Sequence, residues 1–329
     1  MNLDDPRLLR VADEVKKRLA IQKNAPLVVS IMGQTGVGKS SLINALFGTH
    51  LKTDPTRPCT KEIERIVLKG KAGHELWFYD LPGIGESDKA DSEYLATYKR
   101  MLADSDIVLW AIHADNRSVV FDREALQRIL ESADSTYQIQ LMSKLTFVLT
   151  KVDLITPSPW ILAMLGNNSV FVPQKDTEAI LAEKEQYYQE TFIQPYKDSI
   201  ISETYHDGQF DLSLPSLSYD EDAVYYKGFL DKGETNTLKK RFPKHAAVFD
   251  RLYDNYRVIA CSSLFRFNLD FLLKVLINKL GVEAVERFSN FTSNSTMNQL
   301  PLAVAKKYRN IIVFDQVRKQ LFFDLAKEI

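Results

Sequence analysis

Short unbroken apolar runs alternate along this chain with stretches whose apolar residues recur every three or four positions. The first run, Leu27-Val28-Val29-Ser30-Ile31-Met32, has the length and β-branching of a buried strand. Residues 40–47 follow with helical spacing. Residues 63–69 and 74–79 read as two strands about a turn at 70–73, and residues 92–103 as a helix. A buried strand is expected at 106–113, a helix at 122–132 and a strand at 145–150. After a long interval come a short strand at 257–261 and an amphipathic helix at 269–280. Such alternation predicts an α/β domain, a mostly parallel, doubly wound sheet with helices on both faces.

Three regions stand outside that rhythm. Residues 5–23 predict a helix, with Asp5 as cap, Pro6 in the first turn and Leu8, Val11, Val15 and Leu19 on one face. The interval between Asp153 and Ser262 is far longer than a strand–helix–strand return requires. Within it residues 177–202 read as one long helix, and residues 203–244 carry no assignable pattern. In the tail, Val304, Tyr308, Ile311, Phe314, Val317, Leu321 and Leu325 recur at helical spacing and predict a helix over 301–329. The expected organisation is an N-terminal helix (1–25), a core domain (26–280) with an insertion at about 155–250, and a helical extension (281–329).

Composition narrows the class. Charged residues are 26% and hydrophobic residues 45%, and Lys plus Arg (42) nearly balances Asp plus Glu (43). That is the make-up of an ordinary globular protein, not of a nucleic-acid coat. Two cysteines, Cys59 and Cys261, are too few for a disulfide framework, so a reducing, cytoplasmic setting is expected. Since no run of 18 apolar residues occurs, no transmembrane helix is expected.

The candidate chemistry begins where the first strand ends. Gly33-Gln34-Thr35-Gly36-Val37-Gly38-Lys39-Ser40 satisfies G-x-x-x-x-G-K-[ST] between a strand and a helix. Glycines let successive N–H groups form an anion nest, and the helix that opens at Lys39-Ser40-Ser41 adds its dipole. Lys39 supplies full charge to β- and γ-phosphates, and the Ser40 hydroxyl suits Mg²⁺. The loop alone does not choose between adenine and guanine. Asp80-Leu81-Pro82-Gly83 ends a later strand, placing a carboxylate for Mg²⁺ and a glycine N–H for the γ-phosphate. Thr150-Lys151-Val152-Asp153 ends another. An aspartate there accepts from a guanine's ring N–H and amino group, a donor pair adenine lacks, while the Lys151 stem covers the base. Backbone N–H groups of Ser262 and Ser263, after the last strand, are placed for the guanine O6.

Together, GQTGVGKS, DLPG, TKVD and the phrase VIACSSL resemble the Era-like branch of the translation-factor class of P-loop GTPases. KSSLINALFG and NLDFLL resemble the 50S-ribosome-binding (MMR/HSR-type) GTPase domain, and TKVD is also similar to immunity-related and septin-like GTPases. The resemblance covers roughly 26–153 and 256–280 and implies a G domain that binds GTP and GDP with Mg²⁺ and hydrolyses GTP. It makes Thr60 the threonine that closes on Mg²⁺ and γ-phosphate, with Thr56 as runner-up. Lys39 and Thr60 are then the catalytic residues, and Ser40, Thr60 and Asp80 the metal ligands. Three departures bear on mechanism. Ile84 stands where Ras-like members carry a water-orienting glutamine, which implies slow hydrolysis or a group from elsewhere: Arg57, Lys61 or a facing G domain in a homodimer. Gly36 replaces the asparagine of potassium-activated members. Thr150 replaces an asparagine, which weakens the expected tie from base loop to phosphate loop. A conformational switch acting on a protein or ribosomal partner is the first functional expectation. A GTP-dependent scaffold assembling through G domains is the alternative, and a P-loop ATPase is disfavoured by Asp153. The tail is expected to pack on the domain. Its basic residues, such as Lys306, Lys307, Arg309, Arg318 and Lys319, also permit partner or peripheral membrane docking.

Overall fold

The computed structural model describes residues 26–49, 51, 63–69, 75–82, 98–115, 119–131, 134–155, 160–206, 210–221, 223–280, 298–305, 312–315 and 320–322. The helix expected at 5–23 lies outside them, as do Thr56, Arg57, Thr60, Lys61, Gly83, Ile84 and the basic tail residues.

The central sheet has six strands: β1 (Leu27–Met32), β2 (Glu64–Lys69), β3 (Glu75–Asp80), β4 (Ile107–His113), β5 (Leu145–Thr150) and, completing it late in the chain, β11 (Ile259–Ala260). Their spatial order, starting from Ile259–Ala260, is that strand, β5, β4, β1, β3, β2. Every pair is parallel except β2–β3, which is a hairpin. In β4, Ile107 through Ile112 are all fully buried. Val108, Trp110 and Ile112 enter one apolar layer, whereas Ile107, Leu109 and Ala111 enter the other. The period-2 pleat thus feeds both faces, and that is why this strand reads as an unbroken apolar run. Helix α1 (Lys39–Phe47) and the later helix Leu269–Leu280 cover one face through Leu42, Ile43, Leu46, Leu272 and Leu276. Helices α2 (Val120–Glu131) and α3 (Ser135–Lys144) contribute Leu126, Ile129, Leu141 and Met142 to the other. No helix among the described residues is long and apolar enough to cross a membrane.

Two accessory sheets replace what the sequence left open or misplaced. The helix expected at 177–202 is α4 (Lys175–Phe192), which gives way to a 3₁₀ segment, Gln194–Ser199. Pro195 sits at the start of that segment, where its missing N–H and fixed ring stop α-helical continuation. Residues 200–254 then form a unit of their own. Strands β8 (Ile201–Tyr205), β9 (Leu217–Tyr219) and β10 (Ala223–Lys227) make an antiparallel sheet under α5 (Lys232–Arg241) and α6 (Ala246–Asp254). Phe210, Leu217, Val224, Leu230, Phe249 and Leu252 build its core, and an Asp231–Glu234 capping box starts α5.

The second sheet corrects the expected tail helix. Hairpin β6 (Ile161–Leu165) and β7 (Asn168–Val172) is joined on one side by β12 (Leu300–Pro301). On the other side lie β13 (Ile312–Asp315) and β14 (Gln320–Phe322). β13 runs parallel to β6, with Ile312 opposite Ile161 and Asp315 opposite Met164. Among the described tail residues only Leu302–Ala305 is helical. β13 fills the side of β6 that β7 leaves open, and that pairing by the β-branched Ile312-Val313 overrides the helical spacing of the apolar positions.

Candidate functional site

Parallel strands end at one edge of a sheet, so β1, β3, β5 and Ile259–Ala260 deliver their following loops to a common crevice. The β1 loop is the glycine-rich one. Gly33, Gly36 and Gly38 have φ of 138°, 79° and 99°, the left-handed side that favours glycine. Lys39 is nearly buried, and its ammonium donates to the carbonyls of Gly33 (3.1 Å) and Gln34 (3.2 Å). At the end of β3 the Asp80 side chain is fully buried, and the Ser40 hydroxyl donates to its Oδ2 at 2.5 Å. A hydroxyl and a carboxylate in contact beside the glycine-rich loop form a hard-oxygen donor pair of the kind that would suit Mg²⁺.

The far side of the crevice, where the sequence places the base readers, is built by two loops that brace each other. Lys151 adopts left-handed backbone (φ 56°) and stretches along Gly38 to donate to the Gly36 carbonyl at 2.7 Å. The Asp153 carboxylate is held by the Ser262 hydroxyl at 2.5 Å. A cavity of about 570 Å³ is lined by Gly38, Ser41, Lys151, Asp153, Ser263 and Leu300, among others. It therefore joins the phosphate loop to both base-side loops.

Two expectations change here. The Ser262 backbone N–H, expected to face a guanine O6, donates instead to Phe267 (3.2 Å), so Ser262 orients Asp153 while Ser263 faces the cavity. The substitution at Thr150 does not cost the tie to the phosphate loop. Its hydroxyl donates to Val37 O at 2.6 Å, with Ile112 O 3.1 Å away as the other acceptor in reach. Thr150→Val keeps the shape and removes that donor. It should weaken GDP binding about tenfold with little change in melting temperature, as read by fluorescent-GDP titration beside a thermal melt.

One polar node under the loop belongs to no sequence motif. Gln34 Nε2 donates to Asp122 Oδ2 (2.6 Å), and Trp110 Nε1 donates to Asp122 Oδ1 (2.9 Å). Burial raises the Asp122 carboxyl pKa, while those two donors and the Lys39 charge oppose the rise. Asp122 had the look of a helix-start residue, and only the fold places it beneath Gln34. Thr35 and Gly36 form the exposed tip of the loop.

Strand order, phosphate loop and paired base-side loops define a P-loop NTPase of the G-domain type. Residues 28–150 match the profile of a family described as 50S ribosome-binding GTPase. Over 149 residues the chain is 36% identical to YfjP of Escherichia coli strain K12, an alignment covering 45% of this chain and 47% of YfjP. It is 29% identical over 129 residues to GTPase Era of Caldanaerobacter subterraneus subsp. tengcongensis, covering 39% of this chain and 40% of that one. Among solved structures, a dimerization-deficient mutant of Toc33 from Arabidopsis thaliana is similar, with a TM-score of 0.41. It is 20% identical and covers 56% of this chain and 72% of that chain. The chain thus spans less than half the length of these two relatives. The matched profile covers the phosphate loop and the strands around it.

Proposed function

We propose that this chain binds GTP and GDP with Mg²⁺, hydrolyses GTP slowly, and acts as a conformational switch between the two nucleotide states. One observation carries the reading: the Asp153 carboxylate, fixed by Ser262, shares a cavity with Gly38 of the phosphate loop and Ser41 at the start of α1. A purine read by Asp153 would thus have its phosphates directed toward the nest. The base needs an acceptor for two adjacent N–H donors, which guanine has and adenine lacks. Lys39 answers the phosphate charge from within the loop, and Ser40 and Asp80 would hold Mg²⁺. When bound, that ion neutralises charge developing on the phosphate oxygens. Thr60 and Gly83 are proposed to sense the γ-phosphate, and Ile84 leaves the attacking water without a side-chain acceptor. Relatives named GTPase Era support the hydrolytic part of the proposal.

Calorimetric titration with GTP, GDP and ATP in MgCl₂ tests the reading. GTP and GDP should bind, and ATP should bind about a thousandfold more weakly. Phosphate release should stay below about 0.01 per second without a stimulating partner. ATP binding as tightly as GTP would overturn the assignment.

A further inference from the structure

The second base-side loop, residues 262–268, does not stand on the G domain alone. Arg266 (φ 51°) and Asn268 (φ 62°) are both left-handed, and with Lys151 they are the non-glycine residues of positive φ among the described residues. Each such residue is strained, so the surroundings must hold the loop in place. Two pieces of the accessory sheet do so. Phe265 and Phe267 pack against Trp160 at ring-centroid distances of 5.4 and 4.9 Å, and Phe265 stacks on Phe171 of β7 at 4.1 Å. The second piece is the segment 298–301. Asn298 Oδ1 accepts the N–H groups of Leu269 (3.0 Å) and Asp270 (3.2 Å), which begin the helix after the loop. Arg266 Nη1 donates to the Gln299 carbonyl at 3.2 Å. Leu300, paired with Ser169 of β7, lines the same cavity as Asp153 and Ser263.

We propose that segment 298–301 is a positioning element of the base pocket, which holds the 262–268 loop closed over guanine and sets how fast nucleotide leaves. Ser262 connects the two functions. Its hydroxyl orients Asp153, so displacement of the loop displaces the base reader. The inference rests on Asp153 reading guanine, and it adds Arg266, Asn298 and Leu300 as positioning residues drawn from beyond the matched 28–150 segment.

Stopped-flow release of fluorescent GDP from the full chain tests it. Arg266→Gly tolerates the left-handed backbone while deleting the guanidinium, and Asn298→Ala removes the cap at the helix start. Each variant should release GDP about tenfold faster, the scale of one charged hydrogen bond lost at Arg266 or of two neutral ones lost at Asn298. Each should also lose discrimination between GDP and ADP, whereas Arg266→Lys, which retains a donor, should stay near wild type. Release as slow in both variants as in wild type overturns the inference and leaves guanine binding intact. Faster release with an unaltered GDP-to-ADP ratio also overturns it, because that marks general loosening of the fold. A wild-type chain that binds no GDP ends the underlying reading itself.

Discussion

Gly33→Ala should cost this protein its folded phosphate loop, and with it nucleotide binding. A methyl group at Gly33 would lie 2.1 Å from the Ala111 carbonyl oxygen and 3.1 Å from its carbon. That oxygen belongs to the middle of the sheet. Ala111 is fully buried in β4, beside β1 and β5, so its backbone cannot retreat without unpairing strands. Gly33 itself sits at φ 138°, where a side chain is strained even in open space. Clash and strain together should destabilise the domain by about 3 kcal/mol or more. Gly36→Ala is the matched comparison. Its φ is 79°, but nothing lies within 4 Å of an added methyl, so only the backbone term of about 1 kcal/mol remains. A thermal melt and a fluorescent-GDP titration of both variants check this. Equal stability of the two would mean that β1 and β4 are not packed as described.

The contrast between these glycines also shows how much was legible beforehand. The sequence motif names Gly33 and leaves Gly36 at an open position, and it does not reveal that one abuts the sheet while the other hangs free. The central strands were readable because burial on both faces makes β1, β4 and β5 continuous apolar runs. Helix α3 went unread: of its ten residues only Leu141 and Met142 are buried, so its periodicity is faint. Its start is local chemistry, with Asp134 accepting from Tyr137 N at 2.8 Å. The tail was misread for the opposite reason. Its apolar residues fit a helix well, but β13 takes its parallel partner from β6, about 150 positions earlier in the chain, which no local window contains.

The site divides along the same line. Lys39, Ser40, Asp80, Lys151 and Asp153 come from short motifs, each tied to one strand end, and the topology needs only to bring those ends together. Asp122, Arg266, Asn298 and Leu300 act on other residues of the site, not through any motif of their own. A residue whose role is to hold another leaves no trace in local spacing. Its partner must first be placed by the fold.

Asp153→Asn should exchange the preferred base from guanine to xanthine without unfolding the loop. The Ser262 hydroxyl donates to Asp153 Oδ1, and an asparagine oxygen accepts the same bond, so the side chain keeps its anchor and direction. What changes is the second position, where an acceptor becomes an NH₂ donor. Against guanine that donor faces the exocyclic amine, a donor opposed to a donor, and the remaining bond loses its charge assistance. Against xanthine it meets a carbonyl, and the ring N–H still finds the amide oxygen. GTP affinity should fall about a thousandfold or more, and XTP should gain by a comparable factor. The melting temperature of the nucleotide-free chain should hardly move, since the site's own hydrogen bond is retained. Titrations of GTP, XTP and ATP into both proteins read the outcome directly. Were GTP to bind the variant as well as it binds wild type, Asp153 would be a loop brace for Ser262 and the base would be read elsewhere. Were all three nucleotides to weaken in step, the substitution would have disturbed the phosphate end through Lys151, whose ammonium reaches the Gly36 carbonyl. Only a reversal of base preference, with the phosphate affinity held, assigns the discrimination to this carboxylate.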